Sequence, residues 1–168
     1  GVELELAAVR SALAVLDAPG AGAEPGGAPF LSLNASPSAV MTAEFVAMVA
    51  GHPAASRLVL ELTEHDQVDA YDELLRALQP MRERGVQLAV DDTGAGWSGL
   101  QHVLRLSPDI IKLDRALIVG VDGDPARRAL VAALLHFAAE TGATVVAEFE
   151  PDGKAAEEIG ELWRDTPD

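Results

Sequence analysis

The pattern of apolar and polar positions along the chain predicts alternating helices and strands. Leu4, Leu6, Val9, Leu13 and Leu16 recur at helical spacing among alanines, and this predicts an amphipathic helix over residues 2–16. Five short, almost wholly apolar runs come later, and runs of this length between turn signals are typical of buried strands. The predicted strands are residues 30–34, 58–62, 87–91, 109–113 and 144–148.

Helical patterns separate the predicted strands. Gly85 suits the position just after a helix end, and Asp124 followed by Pro125 suits a helix start, because Asp caps free N–H groups and Pro fits the first turn. Residues 18–28 are rich in Gly and Pro and are expected to form a loop; they lack the GK[ST] ending of a phosphate-binding loop. The predicted helices are residues 42–49, 68–84, 97–106, 125–141 and 155–163.

Strands and helices that alternate in this way predict an α/β fold, in which helices cover a parallel sheet. A doubly wound sheet and part of a (β/α) barrel both satisfy the pattern. No GxGxxG turn follows any predicted strand, which counts against the dinucleotide-binding form of the doubly wound sheet.

The composition limits the possible functions. The chain has 168 residues, of which 49% are hydrophobic, so it is long enough for one domain with a substantial core. A net charge of −15 disfavours binding to nucleic-acid polymers, although bound divalent cations would still allow an acidic protein to handle a phosphate ester. The absence of Cys excludes disulfides, and the four His residues form no HxH or HxxxH pair of the kind that zinc hydrolases use.

The sequence shows no targeting or membrane segment. It contains no apolar run near the roughly 20 residues that a membrane helix needs, and it does not begin with a basic segment followed by an apolar one. The first residue is Gly1 rather than Met, which suggests a piece of a longer protein. We therefore expect a chain without a membrane segment of its own.

Polar residues collect at the carboxyl ends of the predicted strands, the edge where parallel α/β folds bind ligands. A single acid at such a place is often only the cap of the next helix. For Glu64 or Asp66 taken alone, a capping role fits the sequence as well as a role in a site does. Glu61 and Glu148 fit it less well, because Glu is a poor cap and both lie within apolar strands. The strand-end residues are Asn34, Glu61, Asp91, Asp92, Lys112, Asp114 and Glu148.

This set of residues suits a metal-dependent site for a phosphate ester. Clustered carboxylates repel one another unless they are protonated or bind a cation. Asn, Asp and Glu oxygens are ligands for hard cations such as Mg²⁺ or Mn²⁺. The adjacent pair Asp91 and Asp92 would let one carboxylate bridge two ions. Lys112 would orient a phosphate oxygen or a water molecule.

Four segments resemble the EAL domain family in order and spacing. LSLNASP at 31–37 resembles its NxS strand, and LVLELTE at 58–64 resembles its ELTE segment. DDTGAGWSGLQHVLRLSPDIIKLD at 91–114 resembles its long central signature, and TVVAE at 144–148 resembles the start of its VAEGVE strand. The resemblance implies a (β/α)8 barrel of the TIM type. It also implies hydrolysis of cyclic di-GMP to linear pGpG with two Mg²⁺ or Mn²⁺ ions, and hence an intracellular ligand and a cytoplasmic location.

The resemblance also implies roles for individual residues. Lys112 and Glu148 would be catalytic, holding the attacking water or contacting phosphate. Glu64 would support the loop from Thr93 to Leu100, which would carry contacts of a homodimer. Asp114 would lie near the second metal. The implied metal ligands are Asn34, Glu61, Asp91 and Asp92.

Three departures from the family pattern predict a single but incomplete EAL-like domain over residues 1–168, with about five strand–helix units. The family's Glu-x-Leu motif is not found, because the nearest string, from Glu5 to Arg10, has a helical pattern and the wrong spacing. Phe149-Glu150-Pro151 stands where the family has Gly-Val-Glu, so the second Glu of that motif is either absent or displaced to Glu150. The family's last strands and their Gln are not found in the chain.

These observations leave three interpretations. The first is a metal-dependent cyclic-di-GMP phosphodiesterase, which the retained strand-end residues favour. The second is a catalytically inactive EAL-like module that acts in signalling by binding the nucleotide or a protein, which the departures favour. The third is an unrelated α/β domain, which the length of the central signature disfavours.

Overall fold

The computed structural model describes residues 1–17, 30–62, 70–93 and 97–147, with the backbone alone at 92–93 and 97–100. Contacts divide the chain into two compact units, Gly1–Ala89 and Val90–Asp168. The five described strands belong to one sheet in the order β1-β2-β3-β4-β5. This simple order, with helices between strands, is that of an α/β barrel segment and confirms the predicted fold class.

Most element bounds agree with the predictions. The first unit contains α1 (Val2–Leu16), β1 (Leu31–Ala35), α2 (Pro37–Val40), α3 (Ala43–Gly51), β2 (Leu58–Leu62), α4 (Tyr71–Glu83) and the start of β3 (Gln87–Thr93). The second unit contains the rest of β3, then α5 (Trp97–Leu106), β4 (Ile110–Leu113), α6 (Arg115–Ile118), α7 (Pro125–Thr141) and β5 (Thr144–Ala147). The predicted loop at 18–28 and the predicted helix at 155–163 lie outside the described residues.

In the first unit, β1 and β2 pair in parallel and bury one face. Their register places Leu33 opposite Leu60, and both are almost completely buried. Strand residues alternate between the two faces, so Ser32 and Asn34 lie on the other face, where both are exposed. Helix α1 packs on β1 and buries Leu6, Val9 and Leu13 of the predicted apolar stripe. Leu4, which was also predicted to lie in that stripe, is 74% exposed.

In the second unit, an apolar cluster joins the strands to helix α7. Ile111 and Leu113 of β4 are buried in this cluster together with Leu134 and Leu135 of α7. Strand β5 pairs with β4 in parallel and contributes Val145, which packs against the same cluster. Because alternate residues face opposite ways, Lys112 lies on the face away from α7.

Several helix ends lie where single residues predicted them. Gly85 has a φ of +84° directly after α4, which is the left-handed conformation that the prediction required. Asp124 caps α7 by accepting hydrogen bonds from the backbone N–H groups of Ala126 and Arg127. None of the helices in the described segments is both long enough and apolar enough to cross a bilayer.

Two helices, α2 and α6, were not predicted. Each has four residues, too few for a hydrophobic period to show in the sequence. Both begin at a side-chain cap, Ser36 for α2 and Asp114 for α6. The structure therefore gives Asp114 a local structural role at the end of β4.

Candidate functional site

Asn34 and Glu61 lie side by side at the carboxyl ends of β1 and β2. They are register partners in the parallel pair and so lie on the same face of the sheet. That face is opposite to the one buried by Leu33 and Leu60. The structure therefore brings together two of the four predicted metal ligands.

Ser32 provides a hydrogen bond that orients Glu61. The Ser32 hydroxyl donates to Oε1 of the Glu61 carboxylate, from the residue two positions before Asn34 on the same face. Ser32 was not among the predicted site residues. The signal that would have found it is the strand period of two, which places residues 32 and 34 on one face.

In the second unit, Asp91 and Lys112 form an ion pair at the ends of β3 and β4. The distance from Lys112 Nζ to Asp91 Oδ1 is 3.2 Å, and the two side chains are only 13% and 24% exposed, respectively. Their neighbours Val90 and Ile111 are buried in the apolar cluster, so the charged pair lies on the face away from the helices. Water and salt screen a partly buried pair of this kind less than a surface pair, so its two charges attract each other more strongly.

Asp114 turns its carboxylate to the start of the next helix. It accepts a hydrogen bond from the backbone N–H of Ala116 and is the N-cap of α6. A cap was the simpler explanation that the sequence offered for strand-end acids in general, and it applies at this residue.

The remaining predicted site residues cannot be placed. Glu64, Glu148 and Glu150 lie outside the described residues, as does part of the predicted dimer loop at 94–96. The side chain of Asp92 is likewise not described, although its backbone continues β3. Their predicted roles therefore stay predictions.

The family model for the EAL domain matches residues 2–152. The chain belongs to the EAL domain family. This match spans both compact units and includes each of the four segments in which the sequence resembled the family. It confirms the resemblance, and it makes the third interpretation, an unrelated α/β domain, wrong.

Relatives and solved structures of the EAL family agree with this placement. The chain is 34% identical over 91 residues to the probable cyclic di-GMP phosphodiesterase PdeG of Escherichia coli, covering 54% of this chain and 18% of that protein. Its fold matches the EAL domain of Mycobacterium smegmatis DcpA with a TM-score of 0.76 and 29% identity, over 92% of this chain and 71% of that one. It also matches a manganese and cyclic di-GMP complex of Klebsiella pneumoniae BlrP1 with a TM-score of 0.80 and 26% identity, over 96% of this chain and 41% of that one.

These matches show an EAL-type α/β barrel fold, of which the described part contributes five strands. The matched part of the chain covers less than a fifth of the length of PdeG.

The donor atoms present suit the divalent cations expected of an EAL domain. Asn34 offers an amide oxygen beside the Glu61 carboxylate, and Asp91 offers a second carboxylate; oxygen donors of this kind bind Mg²⁺ and Mn²⁺. Among the side chains that the structure describes, however, no three His, Asp or Glu residues are close enough to share one ion. Asn34 and Glu61 are the described oxygen donors that the first unit brings together.

Proposed function

We propose that the chain is the catalytic part of a cyclic-di-GMP phosphodiesterase that hydrolyses cyclic di-GMP to pGpG. The observation that carries this proposal is the partly buried pair of Lys112 and Asp91 at the strand ends of an EAL-family chain. A partly buried charge loses hydration, so an acid and a base held together at neighbouring strand ends favour a functional site.

The proposed metal ligands are Asn34, Glu61, Asp91 and Asp92. The cations, Mg²⁺ or Mn²⁺, would neutralise charge on the phosphodiester and activate a water molecule. The manganese found with cyclic di-GMP in BlrP1 supports a divalent cation. The paired strand ends and the hydrogen bond from Ser32 would keep the Asn34 and Glu61 oxygens aimed at one place.

Lys112 would contact either the substrate or the attacking water. Its ammonium group is held 3.2 Å from the Asp91 carboxylate, so its position is fixed before substrate arrives. It would donate a hydrogen bond to the attacking water or to a phosphate oxygen, which favours one approach direction. Glu148 is proposed to help hold that water and the metal site, and Glu64 to support the loop after Asp92.

The wider setting of the site is part of the same proposal. Residues 1–168 would act as one EAL-like domain whose barrel is incomplete, and the loop from Thr93 to Leu100 would carry the contacts of a homodimer. Because cyclic di-GMP is an intracellular messenger in this family, the domain would work in the cytoplasm.

A turnover assay tests the proposal. The chain is incubated with cyclic di-GMP and Mg²⁺ or Mn²⁺, and pGpG is followed by chromatography. Glu61→Ala should reduce turnover more than a hundredfold, because loss of a group behind a metal ligand already costs about 10–100-fold. Glu73→Ala, which removes an exposed acid from α4 of the same unit, is the matched control and should retain full activity.

The second candidate, a catalytically inactive module, predicts a different result in the same assay. The observation that favours it is Phe149, a bulky residue beside Glu148 where the family has Gly. Well-folded protein that binds cyclic di-GMP without forming pGpG would refute the enzyme and support this module.

A further inference from the structure

Glu5 of helix α1 makes two hydrogen bonds to a residue 31 positions away. Its Oε2 atom accepts the backbone N–H of Ser36 at 2.8 Å, and its Oε1 atom accepts the Ser36 hydroxyl at 3.1 Å. Both residues are half-buried. Hydrogen bonds to a carboxylate are among the stronger ones in proteins, and they are stronger still when partly shielded from water.

The contact completes a cap that α2 cannot complete by itself. Ser36 is the N-cap of α2 and accepts the backbone N–H of Ala39 at 3.2 Å. In a capping box, a Glu or Gln at the third helical position returns a hydrogen bond to the N–H of the cap residue. That position is Ala39 here, so α2 has no such acceptor, and Glu5 supplies it from another helix.

The capped turn lies directly after the end of β1. Ser36 follows Ala35, the last residue of β1, and Asn34 is two residues before Ser36. Asn34 is exposed, and its backbone alone places it opposite Glu61. We propose that Glu5 is a positioning residue for Asn34: by fixing the turn after β1, it sets the direction of the Asn34 side chain toward a divalent cation shared with Glu61.

A second, exposed contact joins α1 to α3 in the same unit. Arg10 of α1 pairs with Glu44 of α3 at 2.6 Å between Nη2 and Oε1. Glu5 and Arg10 are the ends of the string that superficially matched the family's Glu-x-Leu motif, and in this structure both make contacts within the first unit. Helix α1 therefore contacts the start of α2 through half-buried hydrogen bonds and the start of α3 through an exposed ion pair, which contributes little stability.

The positioning role, which rests on the proposed function for its metal, has a test that needs no metal. Two-dimensional ¹⁵N NMR spectra of the chain report the Asn34 side-chain amide, and hydrogen exchange reports the Ser36 amide. Glu5→Ala should shift the Asn34 signals and speed Ser36 exchange at least tenfold, because the Ser36 N–H loses its acceptor. Glu3→Ala, which removes an exposed acid from the same first turn, should leave both unchanged.

A second measurement follows Mn²⁺ binding by calorimetry without nucleotide. Glu5→Ala should weaken Mn²⁺ binding by about tenfold, as loss of a group that orients a metal ligand does, whereas Glu3→Ala should change it less than twofold. Glu5→Gln keeps one acceptor and should give an intermediate value. If Glu5→Ala does not fold, Glu5→Gln replaces it in both measurements.

The outcomes separate this inference from the proposed function. Unchanged Asn34 signals and Ser36 exchange in the Glu5 variants would overturn the positioning role. Normal Mn²⁺ affinity in a variant with altered Asn34 signals would overturn it as well. If the unsubstituted chain binds no Mn²⁺, the metal-dependent function fails, and the NMR comparison alone decides whether Glu5 holds Asn34.

Discussion

Replacing Lys112 by methionine and Asp91 by asparagine, singly and together, measures how strongly the two strand-end charges interact. At the 3.2 Å that separates them, the attraction between unit charges is about 5 kcal/mol for an effective dielectric constant near 20. The loss of hydration opposes this attraction. Exposed pairs give about 0.2–1 kcal/mol, and breaking a fully buried pair costs about 3–5 kcal/mol. With 13% and 24% exposure, this pair should show a coupling of about 1–3 kcal/mol.

The assay is chemical denaturation of the unsubstituted chain, the two single variants and the double variant without added metal. The coupling energy is the change in unfolding free energy of the double variant minus the sum of the changes of the two single variants. This double-mutant cycle is needed because each single substitution removes all contacts of one side chain. Arg10→Met and Glu44→Gln provide the matched control, since that pair is 60% and 56% exposed and should couple by less than about 1 kcal/mol.

A coupling at Asp91 and Lys112 no larger than the coupling at Arg10 and Glu44 would refute the reasoning. It would mean that water screens the strand-end pair as fully as the surface pair. The case for a prepositioned Lys112 would then lose its physical basis, whatever the turnover assay shows.

Two further predictions concern backbone positions and caps. Gly142→Ala should lower the free energy of unfolding by about 1–2 kcal/mol, because φ is +74° there but no atom lies near the added Cβ. Gly85→Ala should lower it by more, because φ is +84° and the new Cβ would also lie 3.0 Å from the Ser56 Cβ. Equal losses in thermal unfolding would contradict this. Asp124→Ala should cost about 1 kcal/mol by removing the cap of α7, and Asp122→Ala, an exposed acid beside it, should cost less than about 0.5 kcal/mol. Denaturant titrations that rank the two aspartates the other way would disprove the cap's contribution.

Much of the fold is visible in the sequence because its signals are local. Helix α1 and strand β2 have the predicted bounds, since each has a regular apolar pattern over its whole length. The end of α4 and the start of α7 follow from single residues, Gly85 and Asp124, whose backbone preferences act within one turn. The strand-end position of Asn34 and Glu61 is equally readable, because strand order and a period of two determine it.

The sequence by itself thus determined the family, the order of elements and the edge of the sheet where polar residues collect. Only the tertiary structure decided which of those residues contact one another. The pairing of Asp91 with Lys112 and of Ser32 with Glu61 depends on strand register, which is set by packing between segments distant in the chain. The same is true of Glu5, whose spacing excluded it from the family motif but gave no sign of its bonds to Ser36. A contact across 31 positions leaves no local pattern, because it forms only when α1 packs beside the end of β1.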